Sequence, residues 1–477
     1  MERLLVLKIA GEIGTKSART RRRFLRTLTG NVRAALRRSG VRAETEPRWS
    51  RILVRTEDTE AAADVLARVF GLHSVSYAAV IPFDSLGGLV RDAASLSRDR
   101  VAGRTFAVRA RRSGDHDFRS IDVAVALGEA LRAGSAGVDL GDPEVEVPLE
   151  IVDDTAYLTL DRRPGAGGLP VGVGGRAVAL FSGGFDSPVA AWMAMRRGMR
   201  LDLVTCDLGG CAQIDAALEV ARDLVRRWAP GLEPRAHVVD LAPAVAALRA
   251  QVEPGIRQVV LKRAMYRAAT ILAERLGADA LVTGEALGQV STQTVRNLAV
   301  AEDAAGVPVL RPLIGMDKEE ILARARHIGT HDASARVQEH CNIATGRVET
   351  AARLRHVIGA EGRFDDSFVE EAARGAVEID LTTWRPGSLP DHVLSAPPEG
   401  AVVVDVREAE EGPPAGDVRL PFSRVHEWAD GLERGRTYVF VCTHGHRSEL
   451  VAHDLRRRGV DAYSLAGGIG SLPDRAA

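Results

Sequence analysis

"AVALFSGGFDSPVAAWMAMRRG" (residues 177–198) combines a short apolar strand, a glycine turn and the start of a helix. The first residues are continuously apolar, as in a strand buried inside a parallel sheet. The turn is Ser182–Gly184, and Ser187 and Pro188 suit the cap and first position of the helix. A glycine turn at a helix start presents backbone N–H groups and a positive helix end. The stretch therefore predicts a phosphate-binding loop.

The loop is not a Walker A loop, because none of the chain's four lysines follows a glycine. "SGGFDS" instead resembles the pyrophosphate-loop signature of the adenine-nucleotide alpha hydrolases. That resemblance implies cleavage of ATP between its α and β phosphates. Asp186 suits Mg²⁺, which prefers carboxylate and phosphate oxygens. A helix-capping aspartate is the alternative.

A second strand end, "ALVTGEALGQVSTQT" (280–294), is expected beside this loop, because ligands of parallel sheets bind at the carboxyl ends of strands. Lys262, Arg263 and Lys318 could neutralise a leaving pyrophosphate. Taken singly, each is more often a solvated surface charge. The predicted nucleotide-binding residues are Ser182, Gly183, Gly184, Phe185, Ser187, Lys262, Arg263, Gly284 and Gln289.

The length and composition of the chain are those of a soluble protein with several domains. The chain has 477 residues, enough for about three domains. Its 45% apolar and 27% charged residues are typical of soluble globular proteins, and no apolar run reaches the length of a membrane helix. We therefore expect a cytoplasmic protein without a membrane partner. The four cysteines are too few for a disulfide scaffold. Cys206 and Cys211 lack a second pair for a closed zinc site, so no structural metal is expected.

The first fifty residues contain 13 Lys or Arg against 4 Asp or Glu, which indicates a polyanion-binding surface. A helical pattern runs from about Ser17 to Arg38, and "TFAVRARR" (105–112) reads as a strand. Aromatic residues make up only 4% of the chain, so contacts to RNA shape and phosphates are expected more than base stacking. The predicted RNA-binding residues are Arg19, Arg21, Arg22, Arg23, Arg111 and Arg112, with Arg26 on the same helix face.

"VCTHGHRSEL" (441–450) places a cysteine between a predicted strand and a predicted helix. Cys442 and Arg447 form C-x4-R, one residue shorter than the C-x5-R of cysteine phosphatases. The helix N-terminus and Arg447 should stabilise a thiolate or the anionic sulfur of a persulfide. Gly445 and Ser448 complete the predicted persulfide loop. The alternative is a buried strand-end cysteine.

Five segments carry a close resemblance, in this order: "SGGFDSPVA", "LKRAMYRAA", "LVTGEALGQVSTQT", "LRPLIGMDKEEI" and "QEHCNIA". Together they resemble the tRNA 4-thiouridine synthetase family, the uracil 4-sulfurtransferases. "TFAVRARRSGDHDFRSIDV" is similar to that family's THUMP domain, and residues 1–60 are similar to its ferredoxin-like domain. The last eighty residues resemble a rhodanese domain.

The resemblance implies an enzyme that uses ATP and Mg²⁺ to adenylate uridine 8 of tRNA and then replaces O4 with sulfur from a Cys442 persulfide. It assigns Asp186 and Lys318 to catalysis and Cys341 to sulfur release. A redox disulfide between Cys341 and Cys442 is the expected by-product. The rhodanese loop further implies a cysteine desulfurase as sulfur donor.

The predicted fold is an α/β multidomain chain with a doubly wound parallel sheet in the ATP-pyrophosphatase domain. Glycine-rich and proline-containing stretches mark its boundaries. The predicted parts are a ferredoxin-like domain (1–60), a THUMP domain (61–170), an adenylation domain (171–380), a linker (381–400) and a small α/β rhodanese domain (401–477).

Other functions stay open at this point. The rhodanese domain could pass sulfur to a ubiquitin-like carrier protein for thiamine thiazole synthesis. The chain could also be an RNA-binding protein with degenerate catalytic domains, or another ATP-pyrophosphatase such as an amidotransferase synthetase. The intact "SGGFDS" and C-x4-R loops argue against an RNA-binding protein with degenerate catalytic domains. The basic N-terminal residues argue against another ATP-pyrophosphatase. The oligomeric state is open, and a homodimer is one arrangement considered.

Overall fold

A computed structural model describes residues 3–48, 51–208, 211–229, 232, 234–337, 349–363, 367–385, 392–443 and 445–472. The chain divides into two compact units. The first runs to Gly174 and includes Met195–Met199 and Arg227–Leu232. The second contains Gly175–Ala194, Arg200–Arg226 and the chain from Glu233 onward. Within the described residues, no helix is both long enough and apolar enough to cross a bilayer.

The strands of the first unit are β1 (Arg3–Ile9), β2 (Glu44–Pro47), β3 (Arg51–Arg55), β4 (Leu72–Pro82), β5 (Thr105–Ser113), β6 (Gly137–Val138), β7 (Val145–Val152) and β8 (Thr155–Pro164). Its helices are α1 (Gly11–Gly14), α2 (Ala18–Arg38), α3 (Thr59–Leu66), α4 (Leu86–Val101) and α5 (Ser120–Arg132). In the described part of the chain these strands form one sheet in the order β2-β3-β1-β4-β8-β7-β5-β6.

The predicted basic helix is confirmed as α2. Ser17 caps its start by accepting a hydrogen bond from the Thr20 N–H at 3.4 Å. Phe24, Leu28 and Val32 recur at four-residue spacing and are buried against the sheet, which leaves the arginines between them toward solvent.

The first core continues beyond residue 60, where the sequence prediction ended the first domain. Helix α3 contributes Ala62 and Leu66 to it, and β4 contributes Leu72 and Val75. Strand β4 pairs with β1 on one edge and with β8 on the other. A continuous sheet therefore joins the two predicted N-terminal parts. The sequence could not predict this, because short runs of alternating apolar residues do not show which hydrophobic core a strand belongs to.

Two further sequence predictions for this unit are confirmed. Strand β5 buries Phe106 and Val108 on one face, and β7 and β8 form the predicted antiparallel pair with Leu149 opposite Leu158.

The second unit first contains strands β9 (Arg176–Leu180), β10 (Arg200–Asp207), β11 (Arg235–Asp240), β12 (Ala280–Val282), β13 (Val309–Leu310) and β14 (Val377–Asp380). The accompanying helices are α6 (Asp186–Arg196), α7 (Cys211–Trp228), α8 (Ala242–Gln251), α9 (Arg257–Leu276), α10 (Val295–Glu302), α11 (Lys318–Ile328), α12 (His331–Ser334), α13 (Leu354–Glu361) and α14 (Ser367–Arg374).

The predicted doubly wound sheet is confirmed in these residues. The strand order is β13-β12-β9-β10-β11-β14, with all neighbours parallel except the antiparallel pair β11 and β14. The chain starts in the middle at β9, moves outward through β10 and β11, and then returns to the other side of β9 at β12. The topological switch point therefore lies between β9 and β12, where ligands of such sheets bind.

The chain ends in a separate small sheet with strands β15 (Val393–Leu394), β16 (Val402–Asp405), β17 (Val418–Arg419), β18 (Tyr438–Val441) and β19 (Ala462–Leu465) and helices α15 (Val425–Trp428) and α16 (His446–Arg457). Its order is β15-β19-β18-β16-β17, and every described pair is parallel. Cys442 follows the central strand β18 directly, as the sequence predicted. The assignment of these residues to a rhodanese domain stays a prediction.

Candidate active site

The glycine loop connects β9 to α6 and is held by the Ser187 hydroxyl. That oxygen accepts hydrogen bonds from the N–H groups of Ser182, at 3.1 Å, and Gly183, at 3.2 Å. The predicted role of Ser187 as helix cap is wrong, because α6 already begins at Asp186. Gly183 has φ +80°, and a Cβ there would lie 2.6 Å from the Ala217 Cα. Only glycine fits both this backbone conformation and this close approach.

Asp186 lies between two donors from distant parts of the sequence. Its Oδ1 accepts from the Lys318 Nζ at 2.9 Å, and its Oδ2 accepts from the Gln289 Nε2 at 2.8 Å. The Lys318 ammonium also lies 5.5 Å from the centre of the Phe185 ring. Four residues predicted from three separate motifs therefore meet at the switch point of the sheet.

Gly284 explains how the two strand ends can meet. A Cβ at this position would lie 2.8 Å from the Asp186 carbonyl carbon and 2.8 Å from the Ser187 nitrogen. The segment after β12 therefore packs directly against the start of α6, backbone against backbone. Any larger residue would push Gln289 away from Asp186.

Behind this contact lies a buried carboxylate, Glu285, which is 5% exposed. Its oxygens bind the Lys262 Nζ at 2.7 Å, the Tyr266 hydroxyl at 2.6 Å and the Arg311 Nε at 2.7 Å. Burial by itself raises the pKa of Glu285, but these donors outweigh it and lower the pKa to about 2. Lys262 is thus fixed next to the site with its ammonium held by Glu285.

Arg263 does not join the site, which corrects its predicted role in nucleotide binding. Its guanidinium is 3% exposed and binds Glu361 at 2.7 Å, Asp303 at 3.1 Å and the Val300 carbonyl oxygen at 2.5 Å. Neighbouring residues on a helix point in different directions, so Lys262 faces the strand ends while Arg263 faces other helices.

The Cys442 sulfur is 3.2 Å from the Gly445 N–H and 3.6 Å from the Ser448 hydroxyl, and both donate to it. Gly445 has φ +98°, which turns the chain into α16. Cys442 is only 2% exposed. The sulfur therefore lies in a cradle of uncharged donors at a helix start.

Arg447 was predicted to bring positive charge to that sulfur. In the structure its two terminal nitrogens bind the two carboxylate oxygens of Glu411, with Nη2 at 2.5 Å from Oε2. This hydrogen-bonded pair raises the pKa of Arg447 and lowers the pKa of Glu411 to about 2. The charge of Arg447 is thus largely neutralised by a residue that sequence reasoning did not identify.

Two further cysteines are Cys341 and Cys206. Cys341 and its predicted disulfide with Cys442 lie outside the described residues, within 338–348. Cys206 lies in β10 and packs against the core of the sheet, where burial raises the pKa of its thiol to about 12. Cys206 is therefore a packing residue of this sheet.

The predicted RNA-binding residues all lie in the first unit. Arg19, Arg22 and Arg23 are exposed on α2, and Arg111 is exposed on β5. The Arg112 side chain is tied to its own loop, because its Nη1 donates a hydrogen bond to the Gly114 carbonyl oxygen at 3.0 Å. Arg21 is half-buried.

Sequence reasoning missed the contacts that organise the cations. The sequence shows Glu285 after Gly284 at a strand end, but not that Tyr266 and Arg311 converge on it. Glu411 stands in an irregular segment, "REAEEGPP" (407–414), that carries no pattern. Such partners are found only when the fold brings distant residues together.

Family models match three stretches of the chain. The model described as "Thiamine biosynthesis protein (ThiI)" matches residues 172–365, the "ThiI ferredoxin-like domain" matches 5–76, and the "THUMP domain" matches 86–161. A tRNA sulfurtransferase of Desulfurococcus amylolyticus is 40% identical over 97% of this chain and 97% of its own. A tRNA sulfurtransferase of Pyrobaculum aerophilum is 39% identical over 97% and 96%.

The chain belongs to the tRNA sulfurtransferase family. Its predicted character as an enzyme is thereby confirmed, as are the ferredoxin-like and THUMP regions. Among solved structures, a 4-thiouridine synthetase–RNA complex with bound ATP matches with a TM-score of 0.71 and 27% identity. The match covers 80% of this sulfurtransferase and 99% of that chain.

The substitution Glu285→Gln should lower the stability of this chain by about 3 kcal/mol, because Lys262 would remain partly buried without the carboxylate it binds and Arg311 would keep only the half-exposed Glu302. Urea unfolding at pH 7 measures the loss. Since the folded-state pKa of Glu285 is depressed, its contribution is present above the ordinary value of 4.5 and is lost as pH falls toward 2.

Glu302→Gln is the matched control. Glu302 binds the same Arg311 but is 45% exposed, so its loss should cost under about 1 kcal/mol. Equal losses in the two variants would contradict the role of Glu285 as the buried centre of this cluster.

Proposed function

We propose that this chain is an ATP-dependent enzyme that adenylates O4 of uridine 8 in tRNA and replaces that oxygen with sulfur, giving 4-thiouridine. The observation that carries the proposal is the position of Asp186 between Lys318 and Gln289, beside a glycine loop and a helix start. The family membership supplies the reaction class, transfer of sulfur to tRNA.

The nucleotide is expected at the switch point. The loop N–H groups and the start of α6 suit its phosphates. Lys318 lies where negative charge develops as pyrophosphate leaves, and its side chain is 42% exposed, so it can turn toward a phosphate. Support for ATP itself comes from the similar 4-thiouridine synthetase complex, which contains ATP.

Mg²⁺ fits the donor set at this position. Among the described residues, no cluster of three acidic, His or Cys side chains could hold a metal without help. Mg²⁺ is commonly bound by one or two carboxylates together with substrate phosphates, and Asp186 supplies one carboxylate beside the phosphate loop. When bound there, the ion would neutralise charge on the nucleotide.

Binding of tRNA is assigned to the first unit. The exposed arginines of α2 and Arg111 of β5 provide charge for phosphate contacts. The ferredoxin-like and THUMP matches cover the same residues. The loss of any one arginine should weaken binding to all tRNAs similarly, because phosphate contacts carry no sequence information.

Sulfur is proposed to arrive as a persulfide on Cys442, within a rhodanese domain formed by the last small sheet. The Gly445 N–H and the Ser448 hydroxyl support this role, because they can donate to an anionic sulfur. A cysteine desulfurase is the proposed donor. Its persulfide sulfur passes to the Cys442 thiolate, and the donor's cysteine leaves as thiolate.

The terminal persulfide sulfur then attacks C4 of the adenylated uridine, and the C4–O bond breaks as AMP leaves with its electron pair. Attack by the Cys341 thiolate on the Cys442 sulfur releases 4-thiouridine and forms the Cys341–Cys442 disulfide. A cellular thiol reductant reopens that disulfide.

A second proposed function is sulfur transfer to a ubiquitin-like carrier protein for thiamine thiazole synthesis. The match of residues 172–365 to a family model named for thiamine biosynthesis supports this second proposal. This role would use Cys442 and require neither tRNA nor the arginines of α2.

Adenylation predicts that Asp186→Asn and Lys318→Met each slow pyrophosphate release by about 10²- to 10³-fold. Lys318→Met removes a cation from the reacting phosphates, and Asp186→Asn removes the carboxylate that positions Lys318 and would hold Mg²⁺. The measurement is single-turnover pyrophosphate release from ATP with unmodified tRNA. Glu319→Gln, an exposed neighbour of Lys318, is the control and should match the unsubstituted enzyme. If both variants release pyrophosphate within about threefold of the unsubstituted rate, Asp186 and Lys318 do not take part in the adenylation step.

The persulfide route predicts that Cys442→Ala abolishes tRNA thiolation when a cysteine desulfurase and cysteine supply the sulfur. The first turnover of pyrophosphate release should persist, because the phosphate loop is unchanged. Cys206→Ala, which changes a partly buried cysteine of the sheet, serves as control and should still thiolate tRNA. Nucleoside mass spectrometry detects the 4-thiouridine. Full thiolation by Cys442→Ala under these conditions would rule out this route.

A further inference from the structure

The segment that carries Glu411 is fixed by a buried carboxylate at the end of β16. Asp405 is 0% exposed and binds the guanidinium groups of Arg407, at 2.8 Å, and Arg419, at 2.9 Å. Arg407 donates onward to the carbonyl oxygens of Glu411, at 3.3 Å, and Pro413, at 2.7 Å. The backbone around Glu411 is therefore anchored to the sheet rather than free to follow Arg447.

The Glu411 carboxylate uses both oxygens in defined contacts. Oε1 accepts from the Glu408 N–H at 2.9 Å and from Arg447, while Oε2 accepts from Arg447 at 2.5 Å and from the Thr443 hydroxyl at 3.4 Å. Thr443 is the residue next to Cys442. Glu411 thus binds the cysteine loop at two positions, Thr443 and Arg447, both of which follow Cys442 in sequence.

The contacts divide the loop into two electrostatic parts. Uncharged donors, the Gly445 N–H and the Ser448 hydroxyl, bind the Cys442 sulfur. The one guanidinium of the C-x4-R loop is paired in a two-pronged contact with a carboxylate, the arrangement with the strongest geometric preference for arginine. Arg447 still experiences the field of Cys442, which contributes to raising its pKa.

We propose that Glu411 is a positioning residue for sulfur transfer, which holds the Arg447 guanidinium away from full ion pairing with the sulfur of Cys442. The inference rests on the proposed persulfide function. The step concerned is attack of the terminal persulfide sulfur on C4 of the adenylated uridine, with AMP leaving. An ion pair with Arg447 would stabilise the anion and slow its attack, because nucleophilicity falls as an anion is stabilised.

The test is Glu411→Gln, measured in the full-length protein by the pH dependence of Cys442 alkylation with iodoacetamide. Release of Arg447 toward the sulfur should lower the alkylation midpoint by roughly 0.5 to 1 pH unit. Among the side chains that the structure describes, the charged groups around Glu411 besides Arg447 are Asp405, Arg407, Glu408 and Arg419, and they are unchanged in this variant. Thiolation from a preformed Cys442 persulfide should slow by about 3- to 10-fold in single turnover.

Two comparisons separate positioning from other effects. In an Arg447→Gln background, Glu411→Gln should shift the midpoint by less than half as much, because only the direct field of the carboxylate is then removed. Glu433→Gln, which breaks an exposed pair with Arg436 in the same sheet domain, should change neither readout.

Equal shifts with and without Arg447, or no shift in either, would overturn the inference. If Glu411→Gln is poorly folded, Glu411→Asp keeps the charge but is one methylene too short for the two-pronged pair, and a smaller shift in the same direction is expected. Failure of the unsubstituted protein to form a Cys442 persulfide would instead reject the proposed function, so the two failures are distinguishable.

Discussion

The Asp186 carboxylate joins three parts of the second unit that are far apart in sequence. It stands at the start of α6, accepts from Gln289 after β12 and accepts from Lys318 at the start of α11. These contacts exist only because Gly284 lets two backbones touch at the switch point of the sheet. Without this close backbone contact, the glycine loop and the Gln289 side chain would still be present, but they would no longer face the same ligand.

A common electrostatic arrangement recurs in the second unit: a buried or anchored carboxylate fixes the position of cations near a site. Glu285 holds Lys262 and Arg311 behind the phosphate loop, and Asp405 holds Arg407 and Arg419 behind the cysteine loop. Desolvation of each acid is offset by several charged donors, which a single exposed pair would not achieve. The cations are therefore positioned before any ligand arrives, which is what stabilisation of developing charge requires.

The local parts of this arrangement could be predicted from sequence. The strand, glycine turn and helix around "SGGFDS" are set by neighbouring residues, and so is α2 with its Ser17 cap. The meeting of Asp186, Gln289 and Lys318 was predictable only through the parallel sheet, which brings strand ends together. The burial of Arg263 and the pairing of Arg447 with Glu411 depend on side-chain directions and on partners from irregular segments, and no sequence pattern carries that information.

The central claim is that O4 of uridine leaves as part of AMP. It is tested most directly with tRNA carrying ¹⁸O at O4 of uridine 8, in a single turnover with ATP, a persulfide donor and the full-length enzyme. Mass spectrometry should find one ¹⁸O in AMP for each 4-thiouridine formed, with none in pyrophosphate. Thiolated tRNA accompanied by unlabelled AMP would contradict adenylation of that oxygen and with it the assigned chemistry of Asp186 and Lys318.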